Sequence, residues 1–272
     1  MQCVVEVLRS QIMPVRPMKS FSAWCWRFYW KSQKRIVPGL RNSQYLYYDK
    51  LRSLLSSETR WLEVGCGHQL FAPWMKVDER QLVSSVEFAA GIDYDLDSLK
   101  QNGTMPNILR GDIHAAPFSD RSFNLVAANM VVEHLDKPEA ALAEIYRILR
   151  PGGLFIFHTT NYRNAPVFLA AKLPQTLKNR IIGFLENRKE EDIFPVRYRI
   201  NTVADVRRQA IAAGFEVMEL CLANSSAETV ALGPVVILEL LFIRLLETAR
   251  LAKYRSNIVA ILRKSMLAPE QV

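Results

Sequence analysis

From about residue 60 the chain alternates short apolar runs with longer stretches of helical periodicity, and this alternation restricts its fold more than any other feature. Apolar strands that each lead into an amphipathic segment build a parallel sheet joined by crossover helices. Strands are expected at 60–64, 86–92, 107–110, 123–128 and 153–159, with helices over 70–82, 95–102, 138–149 and 202–213. Ala213-Gly214 supplies a C-cap for the last of these. Two further strands are expected at 215–222 and 257–263. Segments 163–200 and 223–256 read as insertions that emerge near one end of the sheet, where they are candidates for binding a substrate.

The 272 residues suffice for one large α/β core or two small ones. Half are hydrophobic and 23% are charged, a balance that excludes a disordered chain. Cys3, Cys25, Cys66 and Cys221 lie far apart without a CxxC pair, so neither a disulfide scaffold nor a metal site is expected. Reduced thiols then point to the cytoplasm. The formal charge of +8 is unevenly placed: residues 1–41 hold eight Lys/Arg and only Glu6 as an acid, whereas residues 42–171 hold twelve basic and fifteen acidic side chains. A mildly acidic middle suits a neutral or cationic ligand, and basic ends suit an anionic surface.

No cleavable signal is expected, because the first apolar run is short, is interrupted by Glu6 and follows no basic region. The run 230–246 carries Glu239 and Arg244, each costing about 2.5–3.5 kcal/mol near a bilayer centre. It is also shorter than the roughly 20 residues a span needs, so it is expected not to cross. On a helical wheel Glu239, Arg244, Glu247 and Arg250 share one polar arc opposite a broad apolar face. Residues 21–37 behave similarly, with Arg27, Lys31, Lys34 and Arg35 on one side and aromatic residues over most of the rest, before Pro38-Gly39 stops the helix. Two readings stay open for 21–37 and 230–250: an interfacial helix at the inner face of a membrane, or a lid packed on the domain.

The sharpest local signal is Trp61-Leu62-Glu63-Val64-Gly65-Cys66-Gly67, a hydrophobic strand that ends in an acid and a GxG turn. Glycines at the carboxyl end of a central strand let the backbone approach a ligand. No G-x-G-x-x-G is present, which argues against a nicotinamide dehydrogenase, and Gln69 departs from a more glycine-rich turn. The later motifs come in order: Gly91-Ile92-Asp93-Tyr94-Asp95, Arg110-Gly111-Asp112-Ile113, Ser122-Phe123-Asn124-Leu125-Val126, Asn129-Met130-Val131-Val132-Glu133-His134 and Arg150-Pro151-Gly152-Gly153. This set resembles the class I S-adenosylmethionine-dependent methyltransferases, and within them the small-molecule, type 11-like group. The resemblance covers about residues 55–222 and resumes at 257–264.

The resemblance implies a Rossmann-like sheet of seven strands, mostly parallel with an antiparallel last strand, with helices on both faces and helical insertions. It implies S-adenosyl-L-methionine as cofactor. Glu63, Gly65 and Gly67 would surround its methionine part, Asp93 its ribose and Tyr94 its adenine. Asp112 and the backbone of Ile113 would read the adenine edge, and Asn129 would lie beside the methionine moiety. The domain would occupy 42–264, preceded by a basic aromatic segment 1–41 and followed by a tail 265–272.

Each residue also has a plainer reading. Asp93 or Asp112 taken singly is a turn or cap residue, and Cys66 is a small apolar filler. His134, just past the fourth strand, suits a general base, since an unperturbed imidazole titrates near 6.5, or it is a structural histidine. Glu133, Asn161 and Tyr162 are candidates for the substrate pocket. Arg197 and Arg199, around Tyr198, would hold an anionic group or form a solvated basic strand. The expected function is methyl transfer to an oxygen of a small or lipid-linked acceptor, quinone-like or saccharide. An RNA or other nucleic-acid methyltransferase is the first alternative, although no PP-Tyr/Phe motif follows the fourth strand. A non-catalytic cofactor-binding protein of the same fold is the second.

Overall fold

A computed structural model of the chain describes residues 21–173 and 196–266. Expectations for residues 1–20, for most of the basic insertion (174–195) and for most of the tail (267–272) lie outside the described residues.

Seven strands form one sheet: β1 (Arg60–Val64), β2 (Phe88–Asp93), β3 (Ile108–Arg110), β4 (Phe123–Asn129), β5 (Leu149–Thr160), β6 (Phe215–Ala223) and β7 (Asn257–Lys264). Their order is β3-β2-β1-β4-β5-β7-β6, and β7 runs antiparallel to both of its neighbours while β1 to β5 pair in parallel. The Rossmann-like sheet with an antiparallel last strand is therefore present. The helices are α1 (Phe21–Ile36), α2 (Ser43–Leu54), α3 (Glu79–Ser84), α4 (Leu96–Gln101), α5 (Pro138–Ile148), α6 (Ala165–Lys172), α7 (Val203–Ala212) and α8 (Val236–Leu246).

Period-two alternation divides the strand side chains between two cores. Leu62, Val64, Ile92, Val126 and Ala128 pack against α5 and α7. Trp61, Ala89, Leu125, Ala127 and Ile156 pack against α2, α3 and α4. Covering both faces explains why these strands are almost continuously apolar.

The sequence expectation fails at 70–82, where no long helix forms. A 3₁₀ turn (Pro73–Met75) ends at Lys76, whose φ of +53° is left-handed, and α3 begins only after Asp78 caps the Gln81 amide. The Glu79 carboxylate accepts the Leu70 and Phe71 amides, which holds the loop open instead of wound. Conversely α2 was not foreseen, although Asn42 caps it by accepting the Gln44 amide. β5 starts at Leu149 rather than 153, because Leu149 pairs with Phe123 ahead of a register shift between Phe123 and Leu125.

The two amphipathic stretches meet each other instead of covering the sheet. Cys25 and Tyr29 of α1 share a third core with Val230, Val236, Leu240 and Ile243. By length and composition alone Thr229–Leu246 could cross a membrane. A bend at Gly233 (φ +62°) divides it into a 3₁₀ segment (Thr229–Val235) and α8. The expected arc of four charges does not form, since α8 stops at Leu246. Glu247, beyond that end, pairs with Arg255 at 3.0 Å, and Glu239 turns back to accept the Glu228 and Thr229 amides.

Candidate active site

Strand order reverses between β1 and β4, so the loops after these strands diverge and leave a crevice at their carboxyl ends. The turn after β1 forms one wall. Gly65 has φ +68° and Gly67 has φ +43°, a region that side chains enter at a cost of about 1–2 kcal/mol. A Cβ on Gly65 would strike Val131 Cγ2 at 2.3 Å, so the β1 and β4 loops touch there. The Gly67 amide donates to Asp93 Oδ2 at 2.9 Å, and the Asp95 amide donates to Asp93 Oδ1 at 2.9 Å. Asn102, which the sequence did not single out, braces the turn from behind by donating to the Gly67 carbonyl at 2.8 Å.

This wall fits a nucleoside. Each Asp93 oxygen uses one lone pair on an amide and keeps another for a hydroxyl. A Cβ on Gly67 would meet only Asp93 Oδ2, at 4.0 Å, so open space lies in front of the turn. Tyr94 follows directly with 58% of its surface exposed, an aromatic side chain next in sequence to that clasp. Asp112 caps the 3₁₀ turn Ile113–Ala115 by accepting the His114 amide, and Ile113 is buried beneath it. The plainer reading of Asp112 as a cap is thus present in the geometry, with Oδ2 free of that bond.

Glu63 is the buried acid of the β1 motif. It lies on the Trp61 side of β1, 2% exposed, and accepts the Trp61 indole N–H at 3.1 Å. Burial pushes its carboxyl up to about 8, against the pull of the indole bond, so it is mostly neutral at pH 7. It is therefore a buried acid near the carboxyl end of β1. Burial likewise pushes the Cys66 thiol up to about 12, which suits a packed filler and not a nucleophile.

Asn129 ends β4 and faces α2. Its Nδ2 donates to Gln44 Oε1 at 2.9 Å, and its Oδ1 accepts from His158 Nδ1 at 3.0 Å. His158 Nε2 in turn accepts from the Ser43 hydroxyl at 3.1 Å. Burial drives His158 down to about 3, so it is neutral. Ser43, Gln44 and His158 escaped the sequence reading, because the bond joins partners in the β4–β5 register, Asn129 and His158. The one available signal was the Asn42-Ser43 cap.

The expected substrate residues separate into two groups. Glu133 is buried, accepts the Thr159 hydroxyl at 2.7 Å and has its carboxyl pushed up by burial. Its carbonyl accepts the Arg197 amide at 2.7 Å, which brings the 196–200 segment beside the β4 loop. Tyr162 and Tyr198 lie 5.1 Å apart, and Phe168 closes on Tyr162 at 5.5 Å. Arg197 and Arg199 are exposed, and His134 is half-buried in the turn Val132–His134. Asn161 is 1% exposed, its Nδ2 donates to the carbonyls of Lys253 and Arg255 and its Oδ1 accepts the Arg163 amide, so the structure shows it tying two loops together.

Residues 62–157 match the family model described as a methyltransferase domain. That stretch of the chain is thus similar to a methyltransferase domain. The chain is 35% identical over 99 residues to a malonyl-[acyl-carrier protein] O-methyltransferase of Yersinia pestis, covering 36% of this chain and 35% of that protein. The match thus spans about a third of that relative's length. In fold the chain is similar to an S-adenosylmethionine-dependent methyltransferase from Methanosarcina mazei (15% identity, 81% of this chain and 99% of that one, TM-score 0.53). It is equally similar to the [4+2]-cyclase SpnF (16% identity, 94% and 99% covered, TM-score 0.53). The fold alone therefore does not fix the reaction.

Proposed function

We propose that this protein transfers a methyl group from S-adenosyl-L-methionine to an oxygen of a small or lipid-linked acceptor. The observation that carries the reading is the clasp between Gly67 and Asp93 at the strand-order switch, which leaves open space in front of the Gly67 turn. When bound, the cofactor supplies a methyl group already activated on a sulfonium. The protein's part is then to align an oxygen about 3–3.5 Å from that carbon and to exclude water. Tyr162 and Tyr198 offer an apolar wall for the acceptor, beside the buried Glu133.

His134 is assigned as proton acceptor for a hydroxyl substrate such as a phenol or sugar. A carboxylate acceptor, the kind named for the Yersinia relative, is ionised at neutral pH and needs no base. The test is transfer of labelled methyl from S-adenosyl-L-methionine to quinone precursors, lipid-linked saccharides and acyl-carrier thioesters. With a hydroxyl acceptor His134→Ala should lower kcat by about 10²-fold or more. Failure of the folded protein to bind S-adenosylhomocysteine would overturn the reading.

A further inference from the structure

The pairing of α1 with residues 229–246 leaves an amphipathic face that nothing among the described residues covers. At the amino-terminal ends of the two helices a Cβ on Gly233 would lie 3.2 Å from the Trp24 ring, and at their carboxyl-terminal ends Arg35 and Arg244 line one cleft. The helices therefore run side by side in the same direction. Trp24, Phe28, Lys31 and Arg35 follow helical i, i+4, i+7, i+11 spacing, so they form one ridge of α1. Ile237, Leu241 and Arg244 form the corresponding ridge of α8. One end of the first ridge abuts the 3₁₀ segment that leads into α8 and the other lies beside Arg244 of α8, so the two ridges border one seam and open to the same side.

That side mixes apolar and cationic groups. Leu238 is 70% exposed, Leu245 56% and Leu241 45%, and Trp24 stacks between Phe21 and Phe28 with 42% of its surface in solvent. Among the described residues Lys31, Arg35 and Arg244 form no ion pair. The nearby acids do not neutralise them: Glu239 is turned onto the backbone of 228–229, and Glu247 is paired with Arg255. A contiguous apolar patch with unpaired cations beside it marks an interaction site, and its charge calls for an anionic partner.

We propose that this face docks the protein peripherally on an anionic lipid bilayer. The leucines and Trp24 enter the boundary between headgroups and acyl chains, while Lys31, Arg35 and Arg244 meet lipid phosphates. A nucleic acid would engage the cations but leave three exposed leucines in water. A second copy of the chain would bring like charges together across the interface. This proposal is independent of methyl transfer.

The test is flotation of the full chain with phosphatidylcholine vesicles, with and without phosphatidylglycerol. The protein should float only with the anionic vesicles and be released by alkaline carbonate. Leu241→Glu combined with Leu245→Glu, and separately Lys31→Glu combined with Arg35→Glu, should each lower partitioning about tenfold or more. Both variants should keep the wild-type unfolding midpoint and affinity for S-adenosylhomocysteine, which separates loss of docking from loss of fold. Docking is overturned if wild type stays with the soluble fraction, if both double variants float as wild type does, or if carbonate fails to release the protein. Dimerisation abolished by the leucine substitutions, with flotation unchanged, would overturn it too.

Discussion

The amide of Gly67, in the turn after β1, donates to the Asp93 carboxylate at the end of β2 over 2.9 Å, so a single side chain both shapes the glycine turn and faces the space before it. Asp93→Ala removes that acceptor together with any bond to a ribose. Charge-assisted hydrogen bonds are worth about 1.5–3 kcal/mol each, so affinity for S-adenosylhomocysteine should fall by about tenfold to a hundredfold or more in a calorimetric titration. Asp93→Asn keeps one acceptor and should lie between.

The two glycines should respond differently to alanine. At Gly65 the new methyl meets Val131 at 2.3 Å in a left-handed backbone, so Gly65→Ala should destabilise the fold by about 2–4 kcal/mol in urea unfolding. At Gly67 only Asp93 Oδ2 is near, at 4.0 Å, so Gly67→Ala should cost about 1–2 kcal/mol from its backbone alone. It should nevertheless weaken cofactor binding, since its methyl fills the approach. Equal loss of stability at both positions would contradict this geometry.

Glu63 makes stability fall with rising pH. Its carboxyl titrates near 8 when folded and near 4.5 when unfolded, so the native state binds more protons in between. Stability from this group is fully present below about 4.5 and declines up to about 8. Glu63→Gln keeps an acceptor for Trp61 and removes the buried charge. It should raise stability at pH 9 by on the order of 2–4 kcal/mol and flatten the dependence. Glu133, also raised by burial, leaves a residual slope.

His158 acts in the opposite direction. Held neutral with a pKa of about 3 against an ordinary 6.5, it contributes stability above pH 6.5 that is lost as pH falls toward 3. His158→Gln should make the protein less acid-sensitive in that window. Asn129→Ala strands His158 and Gln44 and should cost about 1–3 kcal/mol. Faster amide exchange at the start of α2 would show that the network anchors this helix; unchanged exchange would refute it.

The sheet was legible because its signals are local. The apolar runs at 60–64 and 215–222, the Ala213-Gly214 stop and the glycine turn after β1 each follow from the preferences of a few adjacent residues. The failed helix at 70–82 shows the limit: its apolar spacing was present, but the side chain of Glu79, near the other end of the same segment, captured the Leu70 and Phe71 amides. Asn161, read as a pocket residue, likewise has its amide held by two loop carbonyls, from Lys253 and Arg255.

By itself the sequence determined the strand–helix alternation, the glycine turn, the acids that follow β2 and β3, and the uneven charge. Tertiary structure decided which polar groups reach the crevice and which are spent inside. Glu63 is buried beside Trp61 because alternation put both on one face, and Asn129 went to His158 because parallel pairing set them side by side. It also decided that the two amphipathic segments bury their faces against each other and leave a mixed apolar and cationic surface outside. Hydrogen bonds and packing between residues distant in sequence depend on register and relative placement, and no local pattern of amino acids encodes those.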